Sequence, residues 1–322
     1  MIPQGVDLIE IIILLSKEFV MKDLPILFFA FLLFLFLTPS KVYSQTHYYI
    51  TSSDQTELYV QEFGSGESII LLAGGPLNAN YMKAVWENLS MKYHCIILDQ
   101  RGTGKSLLAQ VDSSSLSITN YINDLEVLRK KLELEQVTLI GHSWGGMLAM
   151  EYTSQYPERV KKLILLGTGG PTSKFYSYFS DNITMRLHED DLIEKAVLDS
   201  LKRNNLSAVW PGYFFDRKKG LETKENIDFE KLLGQEGIYS FVFTNYLATE
   251  DVRINRLRNY TGPVRIIQGR QDPIGESTVY EIKEILPQSQ IYFIEQCGHF
   301  PWFENQDQKT EFFDQLDKSI LK

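Results

Sequence analysis

The chain has 322 residues, 44% of them hydrophobic and 12% aromatic, which is enough apolar surface for one large core or two modest ones. Its formal net charge of −9 excludes the basic stripe that a nucleic-acid partner requires, and it argues against binding an anionic membrane surface. Two cysteines, Cys95 and Cys297, are too few for a disulfide scaffold, so both are expected as free, buried thiols at opposite edges of a parallel sheet.

In chain order, the first feature is the apolar run LPILFFAFLLFLFL at 24–37, shorter than the ~20 residues of a comfortable membrane span and suited to the apolar region of a secretory signal. Val42 and Ser44 fit the small-residue positions of a cleavage site, which predicts export and a mature chain beginning near Gln45, with no stable membrane association after cleavage. The alternative is an uncleaved membrane anchor. Asp7, Glu10 and Glu18 are wrong for the segment that precedes such a run, so translation is expected to start at Met21.

YYITSS and ELYVQEFG then predict an antiparallel pair of strands. Continuous apolar runs at 68–75, 94–99, 137–140 and 161–167 predict strands buried on both faces, separated by helical segments such as 119–133, where Tyr121, Ile122, Leu125, Leu128 and Leu132 recur at helical spacing. This alternation implies βαβ crossovers and a doubly wound, mostly parallel α/β sheet. From 169 to 261 the rhythm is lost and only helical pieces and aromatic clusters remain, which predicts a helical lid inserted into a core of 45–168 and 262–322. VRIIQG and IYFIE supply the last two strands, and a helix from Gln306 ends the chain.

The chemistry-bearing residues fall at the ends of these strands. VTLI runs into GHSWGG and then into a helix, placing Ser143 on a strand–turn–helix elbow whose flanking Gly141 and Gly145 avoid steric collisions. A serine hydroxyl needs a base to take its proton. His299, in the loop after the last strand, is the candidate; His142 adjoins Ser143 but is expected to turn its side chain away. Asp272, in the loop after the next-to-last strand, would orient the imidazole. The N–H groups of Trp144 and Gly75 are the candidate oxyanion donors. DQRGTGKS imitates a phosphate-binding loop but has Asp99 in place of its first glycine, so nucleotide binding is not expected; no metal or cofactor motif is visible, and the chemistry needs none.

Taken together, GGP at 74–76, DQRGTGKS at 99–106 and GHSWGG at 141–146 resemble the proline iminopeptidase branch of the α/β-hydrolases. The resemblance implies the α/β-hydrolase fold and an exported serine aminopeptidase that releases N-terminal residues from short peptides. Ala73 stands where that family has His, and Thr244 stands where it has a lid glutamate that reads the substrate amine. Asp216, Glu222 and Glu236 are candidate acids for that role, the alternative and favoured reading being solvated surface charge, and the aromatic rings of Tyr213 and Phe214 are candidates to hold the substrate's N-terminal residue. The alternatives are an esterase, lactonase or C–C hydrolase for a small apolar substrate, and a non-catalytic ligand-binding homologue.

Overall fold

Runs of β-branched and leucine residues with no polar alternation cannot leave a face in water, and these runs form the centre of the sheet. The computed structural model describes residues 45–321, so the expected signal segment lies outside the described residues. The strands are β1 (Gln45–Thr51), β2 (Glu57–Phe63), β3 (Ser68–Leu72), β4 (His94–Leu98), β5 (Val137–His142), β6 (Val160–Leu166), β7 (Val264–Gly269) and β8 (Gln290–Ile294). They form one sheet in the order β1-β2-β4-β3-β5-β6-β7-β8. β2 is antiparallel to both β1 and β4, and every pair from β4 to β8 is parallel.

The core helices α1 (Lys83–Leu89), α2 (Ile118–Lys131) and α3 (Trp144–Gln155) follow β3, β4 and β5. Between β6 and β7 come α4 (Tyr176–Thr184), α5 (Glu189–Ser200), α6 (Leu206–Val209), α7 (Arg217–Glu225), α8 (Phe229–Leu232), α9 (Ile238–Ala248) and α10 (Glu250–Leu257); this is the helical lid. α11 (Glu276–Ile285) and α12 (Gln306–Leu321) complete the core. Alternate strand residues feed two apolar cores, one packed on α2, α3 and α11, the other on α1 and α12.

Cys95 lies on β4, the first strand of the parallel part, and Cys297 just beyond β8 at its far side; both are free and buried. In the DQRGTGKS loop, Arg101 is fully buried and grips Asp124 with Nε (2.7 Å) and Nη2 (2.6 Å) and Asp54 with Nη1 (2.8 Å). That loop is therefore tied down by buried charge. The chain leaves β3 on one side to reach β4 and returns on the other side at β5, so β3 and β5 flank a crevice at their carboxyl ends. This is where the candidate site lies.

Candidate active site

Ser143 sits directly after β5 with φ 53° and ψ −119°, a left-handed conformation that a side chain tolerates only when the surroundings enforce it. They do so by close packing: a Cβ on Gly145 would lie 2.1 Å from the Leu72 carbonyl oxygen of β3, so α3 can start this near the sheet only with glycine there. The turn lifts Ser143 clear of the strand, into a cavity of about 920 Å³.

The expected oxyanion donors lie on either side of it. Gly75 has φ 115°, which suits glycine alone, since a Cβ would come within 2.2 Å of the Leu77 nitrogen. The Trp144 N–H opens α3, where helix geometry leaves it without an intrahelical acceptor. Gln100 joins the two sides: its Nε2 donates to the Ala73 carbonyl (2.7 Å) and its Oε1 accepts from the Trp144 indole N–H (2.8 Å).

Asp272 and His299 come from the loops after β7 and β8. The Ile274 N–H donates to Asp272 Oδ1 (2.8 Å), leaving Oδ2 to accept from His299 Nδ1 (2.8 Å). Both side chains are almost fully buried. A carboxylate only accepts, so Nδ1 carries the hydrogen and the Nε2 lone pair stays available. His299 lines the same cavity as Ser143. The backbone N–H of His299 donates to the Tyr213 carbonyl (2.7 Å), so the lid holds the loop that carries the imidazole.

Three of the remaining histidines lie away from the cavity lining, among them His47, which packs near the Tyr59 ring. His94 pairs with Glu62 (2.6 Å), and His188 precedes α5 as its N-cap. His142 does not turn away as expected. It lines the cavity and packs against His299 with ring centroids 4.5 Å apart, and burial beside that second imidazole holds it well below the ordinary histidine range. The reason is a pair of buried partners for its ring nitrogens, the Tyr81 hydroxyl and the His299 carbonyl.

Of the four lid residues expected to touch substrate, Tyr213 lines the cavity, whereas Phe214, Asp216 and Glu222 do not. Phe214 is buried against Trp210 and Phe300. Asp216 caps α7 by accepting from the Lys218 N–H (2.9 Å), and Glu222 pairs with Lys219 (2.7 Å). Helix capping and helical salt bridges claimed both acids, as short-range partners on α7 would. Glu236 and Glu230 do line the cavity, but both are exposed, as are Lys202 and Arg203 beside them. Met147, Phe175, Phe179, Phe243 and Ile274 form a buried or half-buried apolar part of the wall around Ser143 and Tyr213, while Asn204, Asn205, Ser207 and Gln235 add uncharged polar groups farther along it. Asn245 and Tyr246, in the segment where the resembling family keeps its amine-reading acid, bond instead to the Leu116 and Gly170 carbonyls.

Three residues near the site were not found by sequence reasoning. Gln100 and Tyr81 are among them, and the DQRG motif was the available signal for Gln100. The third is Glu304, a buried carboxyl that accepts from the N–H groups of Gly298 and Phe215 (2.8 Å each), tying the His299 loop to the lid; burial raises it above the usual carboxylate range.

Comparison with known proteins agrees with this architecture. Residues 67–206 match the family described as alpha/beta hydrolase fold. A proline iminopeptidase of Lactobacillus helveticus is 25% identical over 280 residues, which cover 78% of this chain and 90% of that protein. A cis-3-alkyl-4-alkyloxetan-2-one decarboxylase of Shewanella oneidensis is 37% identical over 112 residues, but this spans only 35% of that protein. The crystal structure of a proline iminopeptidase-related protein from Thermus thermophilus superposes with a TM-score of 0.69 at 20% identity, covering 86% of this chain and 98% of that one, a likeness of fold.

Proposed function

We propose that this chain, a member of the α/β-hydrolase superfamily, is a serine hydrolase that cleaves uncharged acyl substrates, esters first among them, whose apolar part fills the cavity beside Ser143. The observation that carries this reading is the cavity wall: its buried lining is apolar and aromatic, and its carboxylates, Glu230 and Glu236, are confined to exposed positions. An ammonium group drawn into such a wall would lose its hydration without a buried counter-charge.

In the proposed reaction the Ser143 hydroxyl attacks the acyl carbon while His299 Nε2 takes its proton, and Asp272 stabilises the imidazolium through Nδ1. The oxygen that becomes negative is received by the N–H groups of Gly75 and Trp144. Collapse of the tetrahedral intermediate expels the leaving group, protonated by His299, and leaves an acyl-serine. Water, deprotonated by His299, then attacks the acyl carbon and releases the acid and the free serine.

A second reading, an aminopeptidase for short peptides, is favoured by the likeness to the Lactobacillus helveticus protein over most of both chains and by Glu236 at the cavity. The two are separated by steady-state turnover of short-chain aryl esters against prolyl and alanyl arylamides. Esters turned over with arylamides inert supports the first reading, and arylamides preferred, with loss in Glu236→Gln, replaces it with the second. Export before Gln45 is part of the proposal and is checked by N-terminal sequencing of the protein recovered from its native host.

A further inference from the structure

The two halves of the site must be held at a fixed separation, because the donor at Gly75 and the base at His299 act on the same acyl centre. They are carried by different loops, one after β3 and one after β8, with β5, β6 and β7 between them in the sheet. Beneath Ser143 a chain of buried hydrogen bonds spans this gap. The Gly74 N–H donates to the Tyr81 hydroxyl (2.6 Å), that hydroxyl bonds His142 Nδ1 (2.8 Å), and His142 Nε2 bonds the His299 carbonyl oxygen (3.0 Å).

Each link has one possible direction. The His299 carbonyl only accepts, so His142 Nε2 carries the hydrogen. With Nε2 protonated on a neutral ring, Nδ1 accepts the Tyr81 hydroxyl hydrogen, and the tyrosine oxygen is free to accept from Gly74. The members are almost completely buried at the cavity's inner wall: Tyr81 is 5% exposed, His142 1% and His299 2%. Trp302 closes the assembly, its ring edge-on to His142 at 4.9 Å and its indole N–H on the Tyr81 carbonyl (3.1 Å).

We infer that Tyr81 and His142 are positioning residues, whose bridge between the main chain at Gly74 and at His299 sets the oxyanion donors against the base. This rests on the serine-hydrolase reading above. Neither side chain exchanges a proton with substrate; they act through the loops that do. Removing the tyrosine hydroxyl leaves the Gly74 N–H and His142 Nδ1 unpartnered in a buried site, and the loop relaxes to satisfy them. A displacement well under an ångström at Gly75 weakens the contact to the developing oxyanion more than any contact to the ground state.

The test compares wild type, Tyr81→Phe, His142→Ala and His142→Gln on an aryl ester and on its thionoester, in which sulfur replaces the carbonyl oxygen and fits an oxyanion site poorly. Active sites are counted with a fluorophosphonate. Tyr81→Phe is expected to lower kcat per active site about tenfold with KM little changed, and to reduce the oxoester-to-thionoester preference by a similar factor. His142→Gln, which keeps a donor toward the His299 carbonyl, recovers part of what His142→Ala loses. Unchanged kcat per active site and an unchanged oxygen-to-sulfur ratio in Tyr81→Phe overturn the inference, whatever happens to the folded yield. Nitrogen-edited NMR of the wild type reads the bridge without any substrate. A slowly exchanging hydrogen on His142 Nε2 that shifts in Tyr81→Phe supports it, and a hydrogen on Nδ1 overturns it. Absence of fluorophosphonate labelling at Ser143 defeats the serine-hydrolase reading and leaves the NMR result standing on its own.

Discussion

The sheet rim and the lid are held by different kinds of interaction. At the rim, buried hydrogen bonds join Gln100 to the Ala73 carbonyl and the Trp144 indole, Tyr81 to the Gly74 N–H and to His142, His142 to the His299 carbonyl, and the Asp272 carboxylate to the Ile274 N–H and His299 Nδ1. The outer lid helix α5 buries only Asp191, leaves Ile193 and Val197 exposed, and is held by ion pairs such as Arg217–Asp190 and Lys224–Glu194. Exposed pairs of this kind contribute ~0–1 kcal/mol each. The rim is thus held by buried polar bonds, whereas the outer lid helix is held by weaker contacts at the surface.

The largest effect expected at the rim is chemical. Ser143→Ala or His299→Ala should lower kcat/KM on the preferred ester by about 10⁴-fold or more, Ser143→Ala with little change in thermal midpoint and His299→Ala with a lowered one because it leaves Asp272 buried and unpaired. The two together should cost hardly more than either alone, because they act as one unit. A double variant much slower than both singles would mean that the residues contribute independently and that the rim does not work as described.

The lid also has buried anchors, Trp210, Val242 and Arg253 among them, and breaking the one at Arg253 sharpens the contrast with α5. Arg253 of α10 is fully buried; it binds Glu151 of α3 (2.6 Å) and the Pro171 carbonyl (2.8 Å), and stacks 3.4 Å over the Tyr246 ring. Arg253→Met leaves Glu151 buried and unpaired, for an expected loss of about 3–5 kcal/mol in denaturant unfolding. Arg101→Met should cost a similar amount in the core, where it strands Asp124. If lid and core unfold as one unit, both variants shift a single transition. If Arg253→Met instead produces a separate early transition, the lid is an independent unit.

These two arginines also show where the sequence was silent. The strands, the lid insertion and the loops carrying Ser143, Asp272 and His299 could be read because each depends on local pattern, on apolar runs ending in Gly-rich or Asp-containing turns. Arg101 in DQRG and Arg253 in a charged stretch look like any solvated cation until residues 23 and 102 positions away are brought against them. The lid misreading has the same origin. Asp216 and Glu222 were candidate substrate contacts because the resembling family has an acid in its lid, but the Lys218 amide and Lys219 satisfy them at α7. His142 was misjudged because its environment is set by Tyr81 and by the far side of the sheet.

Substrate selection should be sensitive to the lid side of the cavity alone. Tyr213 lines the cavity, and its backbone carbonyl anchors His299, so Tyr213→Ala removes the ring and keeps the anchor. KM for an aryl ester is expected to rise about tenfold, with kcat falling far less, since apolar pocket contacts act on ground and transition states alike. A collapse of kcat with KM unchanged would place Tyr213 with the rim and erase the distinction between the regions.

The smallest expected effect is on the pH dependence of stability, and it isolates His142. Its folded value lies well below the ordinary 6.5, because burial and the neighbouring His299 oppose its charge. Below about pH 6.5 the unfolded chain therefore holds a proton that the folded chain refuses, so this contribution to stability is complete above that pH and is lost as pH falls. One proton limits the slope to ~1.4 kcal/mol per pH unit. Glu304 works in the opposite sense. Its value is raised, so its contribution is present at low pH and is lost as pH rises through its folded value, partly masking His142 in the acidic range. The difference between wild type and His142→Gln removes that background, because Glu304 is common to both. Denaturant midpoints measured from pH 8 to pH 5 should converge as the wild type loses what the glutamine variant never had, and parallel curves would mean that His142 takes up its proton in the folded state, which the Tyr81–His142–His299 bridge forbids.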